Sequence, residues 1–248
     1  MRRRTLLGAA AAAALVGGGV RASGAQSGFA DAEDAVDVLL VLAVDVSRSV
    51  TEEEGRLQRQ GYYAALTDPQ VVETIRGGML GAIGVAYIEW SGVEWQRLIE
   101  PWTRIGSAQD AEAWCASVDR KPPQAVGWTS ISGAIDFSRK VLSEAPWDAM
   151  RKVVDISGDG VNNSGRPAEQ ARDEAVAEGI VINGLPILKA QVMAGGPPLT
   201  EYYQKNVVGG PGAFVVPAAD FHAFAQAVKR KIIMEVAGRH VPGGVLHG

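Results

Sequence analysis

From residue 36 to residue 44 the chain is apolar at every position but one, "VDVLLVLAV", with Asp37 as the exception. A run without polar alternation fits a central parallel strand covered on both faces. It ends in "DVSRS" and passes into "SVTEEEGRLQRQGYYAAL", a helical pattern. Ser49 or Thr51 is suited to cap that helix, and Glu52–Glu54 suit its positive N-terminus. "GAIGVAYIEW" (81–90) reads as a second strand, and "VEWQRLIEPW" (93–102) as a third, joined to it as a hairpin through Ser91-Gly92. Helical patterns follow at 107–118, opening at Ser107, and at 129–145, opening on Thr129 and stopped by Pro146. "RKVVDIS" (151–157) is a fourth strand, and a helix lies between Pro167 and Gly179. "IVINGLPIL" (180–188) and "AFVVP" (213–217) complete the strands; a short helix at 199–208 lies between them, and an amphipathic helix from 220 to 238 closes the pattern. Strands alternating with helices predict a doubly wound α/β fold. The expected sheet is six-stranded and mainly parallel, with one antiparallel edge strand and helices on both faces. In such sheets a ligand sits beyond the carboxyl ends of the strands, where the strand order reverses.

Composition changes this picture at the N-terminus. "MRRRTLLGAAAAAALVGGGV" is a basic start followed by a mild apolar stretch, the pattern of an export signal. "RRTLL" resembles the twin-arginine motif, with Leu6-Leu7 as its apolar pair, and the general secretory route stays open. "SGA" at 23–25 offers small residues for cleavage. The expected organisation is a signal over 1–25, a linker over 26–35, one domain over 36–236 and a tail over 237–248. The expected location is periplasmic or secreted, without a stable membrane span after cleavage. Removing 1–25 takes away four arginines and no acid, which moves the formal net charge from −4 to −8. That balance argues against a nucleic-acid backbone as partner and suits a cation or a basic patch. Cys115 is the only cysteine, so no intrachain disulfide can form; "AEAWCASV" places it at helical spacing as a core residue.

The chemistry gathers at strand ends. Asp45 leaves the first strand, and Ser47 and Ser49 follow at alternate positions, so all three side chains can point to one side. They offer oxygen only, which suits Mg²⁺, with Mn²⁺ or Ca²⁺ as alternatives. Thr129 stands at a loop-to-helix junction, and Asp159 leaves the fourth strand in "SGDG". If the first and fourth strands are neighbours, five oxygen-bearing side chains converge. The plain alternative is that Asp45 and Ser47 only turn the chain into its helix, and that Thr129 only caps one.

"DVSRS", followed in order by Thr129 and Asp159, resembles the Asp-x-Ser-x-Ser signature of the von Willebrand factor A domain. The resemblance covers roughly 36–236, and "YIEWSG" and "DISGDGVNNSG" are similar to an uncharacterised exported bacterial subfamily. It implies a metal-ion-dependent adhesion site. Ser47, Ser49 and Thr129 would ligate the metal, Asp45 and Asp159 would hold metal-bound waters, and a partner's Asp or Glu would complete the shell. One departure is Gly158, where many members carry Thr.

Other residues are weaker candidates. Asp155, an acid inside a strand, reads as a structural hydrogen-bonding group or as second shell to the metal; it falls four residues before Asp159, on the same expected strand face. Glu89 ends the second strand and is either second shell or a strand cap. Asn162 and Asn163 read as turn-formers, with Asn162 kept as a second-shell candidate. Trp128 is a rim residue for partner contact or a packing residue. The three histidines lack metal-ligand spacing, and "GGPG" (209–212) lacks the Lys and Ser/Thr of a phosphate loop. The functions left are an exported adhesion-type binding module, a metal-dependent phosphohydrolase with Asp45 as nucleophile, and a structural domain without functional metal. The hydrolase reading has no Asp-x-Asp pair and no evident lysine partner.

Overall fold

The first strand, β1 (Ala35–Asp45), is buried at every position. The computed structural model describes residues 34–119, 127–189 and 197–238. The expected signal, nearly all of the linker, and the tail beyond 238 lie outside the described residues. The chain continues through α1 (Glu52–Leu66), α2 (Pro69–Arg76), β2 (Ile83–Trp90), β3 (Gln96–Ile105) and α3 (Ala108–Asp119). Then come α4 (Ile131–Ser143), β4 (Asp148–Gly158), α5 (Ala168–Ala177) and β5 (Ile180–Pro186). A single turn, α6 (Leu199–Tyr202), runs into a π-helical turn (Tyr203–Val207), and α7 (Phe224–Ala237) closes the fold.

The sheet order is β3-β2-β1-β4-β5. Only β3 is antiparallel to its neighbour. The sheet therefore has five strands, not six. Residues 213–217 meet β5 only at isolated bridges, Gly184 with Val215 and, just beyond, Ile187 with Ala218. Pro186, at the end of β5, has no N–H to give across that edge, which interrupts a regular ladder. The hairpin turn is also longer than expected: Ser91 N–H donates to Trp95 O (3.0 Å), so β3 starts at Gln96.

Two apolar layers explain the continuous burial of β1. Leu40, Leu42 and Val44 pack with Tyr62 of α1 and Phe224 of α7, while Leu39, Val41 and Ala43 pack with Ile131 and Ile135 of α4. α2 escaped the sequence reading, although Asp68 capping Gln70 N–H ahead of Pro69 is a helix-start signal. Thr51, not Ser49, caps α1, through a reciprocal capping box with Glu54. Ser130, not Thr129, caps α4 by accepting from Gly133 N–H (3.2 Å). Both hydroxyls expected at the site are thus spared capping duty.

Candidate metal centre

β1 lies between β2 and β4, so the chain reverses direction of winding at β1, and the carboxyl ends of β1 and β4 stand side by side. Asp45 is fully buried there. Its Oδ1 accepts Ser47 N–H at 2.7 Å, the turn that bends the chain out of the strand. Ser47 Oγ lies 3.0 Å from Ser49 Oγ, and Ser49 Oγ donates to Asp159 Oδ1 at 2.6 Å. Asp45, Ser47, Ser49 and Asp159 form one continuous polar chain across the two strand ends.

Thr129 is brought in from the far side by backbone clamps. Ser130 N–H donates to Ser91 O (2.7 Å), and Ser91 Oγ donates to Trp128 O (3.0 Å), tying the start of α4 to the end of β2. Thr129 N–H donates to Asn163 Oδ1 (2.9 Å), and Thr129 O accepts Asn163 N–H (2.9 Å). Ser47, Ser49 and Thr129 then wall a single cleft of about 290 Å³, together with Arg48, Gly127, Trp128 and Asn163.

The electrostatics single out Asp45. Burial, then the nearby Asp159 charge, push its carboxyl up to about 7 against hydrogen bonds from Ser47 and from the Asp159 backbone N–H. Its Oδ2 is buried with no hydrogen-bond partner among the described residues. A carboxylate oxygen in that position is costly unless a cation or an ordered water answers it. The donor set is five oxygen-bearing side chains, three of them neutral hydroxyls, so the residues present fit a hard divalent cation. Among the described residues no three His, Cys, Asp or Glu gather into a metal cluster, and this site would rely on hydroxyls instead.

Gly158 has a steric explanation. A Cβ there would stand 2.9 Å from Asp45 Oδ2 and 3.0 Å from Tyr203 Oη. Tyr203, from the turn after α6, fills the room that a side chain at 158 would need, and glycine is the residue that fits.

The remaining candidates separate. Trp128 is 69% exposed on the cleft rim. Asn162 holds the loop after β4: its Oδ1 accepts Ser132 N–H (3.0 Å) and its Nδ2 donates to Arg166 O (3.0 Å). The residue of that pair that reaches the cleft is Asn163. Glu89 is buried against Arg59 at 2.5 Å, and burial raises its pKa while Arg59 opposes the rise. Asp155 faces α7, where Lys231 Nζ lies 2.6 Å from it. Neither Glu89 nor Asp155 joins the strand-end network. Cys115 is buried in the layer of α1 and α7, as its spacing suggested.

Sequence reading missed Lys189. Its ammonium lies 2.8 Å from Asp159 Oδ2 and 3.1 Å from the Glu54 carboxylate, and it donates to Ser49 O. Burial opposes its charge, but Asp159 and Glu54 outweigh burial and hold its pKa above the ordinary value. The only available signal was a lysine just past the carboxyl end of β5, on the ligand-bearing side of the sheet.

This five-stranded sheet, with its antiparallel edge strand and helices on both faces, is the fold of a von Willebrand factor A domain. A mussel byssus protein, proximal thread matrix protein 1 with a zinc-occupied MIDAS motif, superposes with a TM-score of 0.61 at 17% identity, over 82% of this chain and 48% of that one. A von Willebrand factor type A protein from Catenulispora acidiphila superposes at 0.58 and 16%, over 84% and 44%. The pilus adhesin SpaC from Lactobacillus rhamnosus GG superposes at 0.55 and 14%, over 81% and 31%. The chain spans less than half the length of each of these proteins, and the likeness is one of fold. In sequence, the chain matches the family described as "Protein of unknown function (DUF1194)" over residues 35–240, and it belongs to that family. A search of curated proteins finds no match.

Proposed function

We propose that the chain is an exported, divalent-metal-dependent binding module that captures a carboxylate of a protein partner. The observation that carries this reading is the buried Asp45 Oδ2, without a hydrogen-bond partner, in the same strand-end network as Ser47 and Ser49, which with Thr129 wall the cleft. Ser47, Ser49 and Thr129 would hold the cation directly, and Asp45 and Asp159 would act on it through water. Neutral ligands leave a divalent cation most of its charge, so it would supply an electrophilic point for an incoming Asp or Glu. Mg²⁺ is the preferred ion on ligand hardness, with Mn²⁺ or Ca²⁺ as substitutes. Arg48 and Trp128 on the cleft lining would add a cationic and an aromatic contact to an acidic partner segment. The adhesin and byssus proteins of like fold support an adhesive role in general. No helix among the described residues is long and apolar enough to cross a membrane.

The hydrolase reading gains little. Asp45 is fully buried and its Oδ1 is held by Ser47 N–H, so its carboxylate has no open path to a substrate phosphorus. The test of the binding reading is capture of envelope proteins on the immobilised mature chain, in Mg²⁺ and in EDTA. Specific capture should occur in Mg²⁺, disappear in EDTA and disappear in Asp45→Ala. Capture that ignores both EDTA and Asp45→Ala would move the function to another surface. Fractionation tests export: uncleaved chain confined to the cytosol defeats it.

A further inference from the structure

Asp159 is clamped from two sides. One carboxylate oxygen takes Ser49 Oγ at 2.6 Å, on the cleft side, and the other takes Lys189 Nζ at 2.8 Å. The Asp159 side chain is fully buried while Lys189 is 29% exposed, so the ammonium plugs the acid from the outer side. Lys189 is itself anchored by Glu54 (3.1 Å), by Ser49 O and by the Phe221 ring, whose centroid is 5.2 Å from Nζ. Nothing comparable reaches Asp45, which has no lysine or arginine pair among the described residues. The two acids of the site therefore stand in unequal states, one neutralised by the protein and one left open.

We propose that Lys189 sets the affinity and the residual charge of the strand-end cation site by neutralising Asp159. This rests on the metal-site reading above. Asp45 and Asp159 together would present a divalent cation with two negative charges, which with neutral hydroxyl ligands would cancel it. Lys189, shared between Asp159 (2.8 Å) and Glu54 (3.1 Å), offsets part of that charge. The site then binds metal less tightly than its two acids would allow, and a bound cation keeps part of its positive charge for an incoming carboxylate. Lys189 is a positioning and charge-setting residue; it is not a ligand.

A purely structural role makes the opposite prediction. If Lys189 only ties the end of β5 to α1, removing it loosens Asp159 and weakens metal binding. The test is calorimetric titration of the mature chain with Mn²⁺ and with Mg²⁺, no partner present, for wild type, Lys189→Met and Lys189→Arg. Lys189→Met should bind either ion about tenfold more tightly, the order expected when one full charge is removed near a divalent ion in a water-rich site. Lys189→Arg should return to the wild-type value. Melting in EDTA reads the ion pair without metal: Lys189→Met should melt lower than wild type, and Lys189→Arg should not. Unchanged or weaker metal binding in a folded Lys189→Met chain overturns the proposal, and so does unchanged melting in EDTA. Absence of metal binding by all three folded chains is a different result: it overturns the metal site itself, and this inference with it.

Discussion

Two places in the molecule bring two acids and a lysine together, and they are built differently. Beneath α7, Lys231 Nζ lies 2.6 Å from Asp155 and 2.5 Å from Glu235, and all three side chains are fully or almost fully buried. Asn183 Nδ2 adds a hydrogen bond to Glu235 at 2.9 Å, and Phe214 faces the ammonium at 5.7 Å. The lysine bridges both acids, so the cluster carries its counter-ion within the core. At the strand ends, Lys189 pairs with Asp159 (2.8 Å) and with Glu54 (3.1 Å), and no lysine or arginine among the described residues pairs with Asp45. In the core cluster both acids touch the one lysine, whereas at the strand ends Asp45 touches no lysine or arginine among the described residues. A carboxylate's role is thus set by whether the fold supplies its partner, and both arrangements use the same residue types.

The largest effect should come from breaking the closed cluster. Lys231→Met leaves two buried carboxylates without a counter-charge, and loss of one partner of a buried pair costs about 3–5 kcal/mol. Urea unfolding should show it; a loss below about 1 kcal/mol would mean that the cluster is solvated and the contrast with the strand-end site is false.

The next effect is on pH. Burial, partly offset by Lys231, raises the Asp155 carboxyl to about 7 from an ordinary value of 3.8. Between those values the folded chain keeps a proton that the unfolded chain has lost. Stability from this group is therefore fullest below pH 4 and declines as pH rises to about 7, by at most ~1.4 kcal/mol per pH unit. Asp155→Asn should flatten that decline in denaturant titrations run from pH 5 to 8. An equal slope in the two proteins would remove Asp155 as its source.

Asp45→Ala probes the open site. At a metal concentration a hundredfold above Kd, a native-state ligand adds about 2.7 kcal/mol. The wild-type melting temperature should rise with Mg²⁺ by that equivalent, and Asp45→Ala should stay folded by circular dichroism while losing the rise. A variant that responds to Mg²⁺ as wild type does would place the cation elsewhere. The smallest effect on the fold belongs to Trp128→Ala. Its exposed ring should contribute less than about 0.5 kcal/mol to stability, yet its loss should weaken partner capture in Mg²⁺. Undiminished capture would take Trp128 out of the recognition surface.

Much of this was legible in the chain. β1 declares itself by a run of apolar residues because both its faces are covered, and Asp45, Ser47 and Ser49 declare themselves by following it in a fixed local spacing. Thr129 and Asp159 could be named because each stands at an element boundary, which local sequence marks. Other features were not readable. The last strand read as regular because "AFVVP" has strand composition, but whether it pairs depends on where Pro186 of β5, which has no N–H to give, falls across the edge. Asn162 and Asn163 are indistinguishable as turn residues until the loop's path shows which one faces the cleft.

The strand-and-helix alternation, the hydroxyl and acid set at the strand ends, and the basic start of the chain are written in the amino-acid order. All of these are local: they depend on periodicity, caps and spacing within a few residues. The folded chain is what turns Asp155 to Lys231, brings Lys189 to Asp159, and sets Asp45 and Tyr203 against any Cβ at 158. Those partners lie tens of residues away in the chain, on elements that meet only once the sheet order β3-β2-β1-β4-β5 is formed. Charge pairing in a buried place is a property of that meeting, because burial raises the cost of an unpaired acid while only the assembled fold determines which cation is within reach.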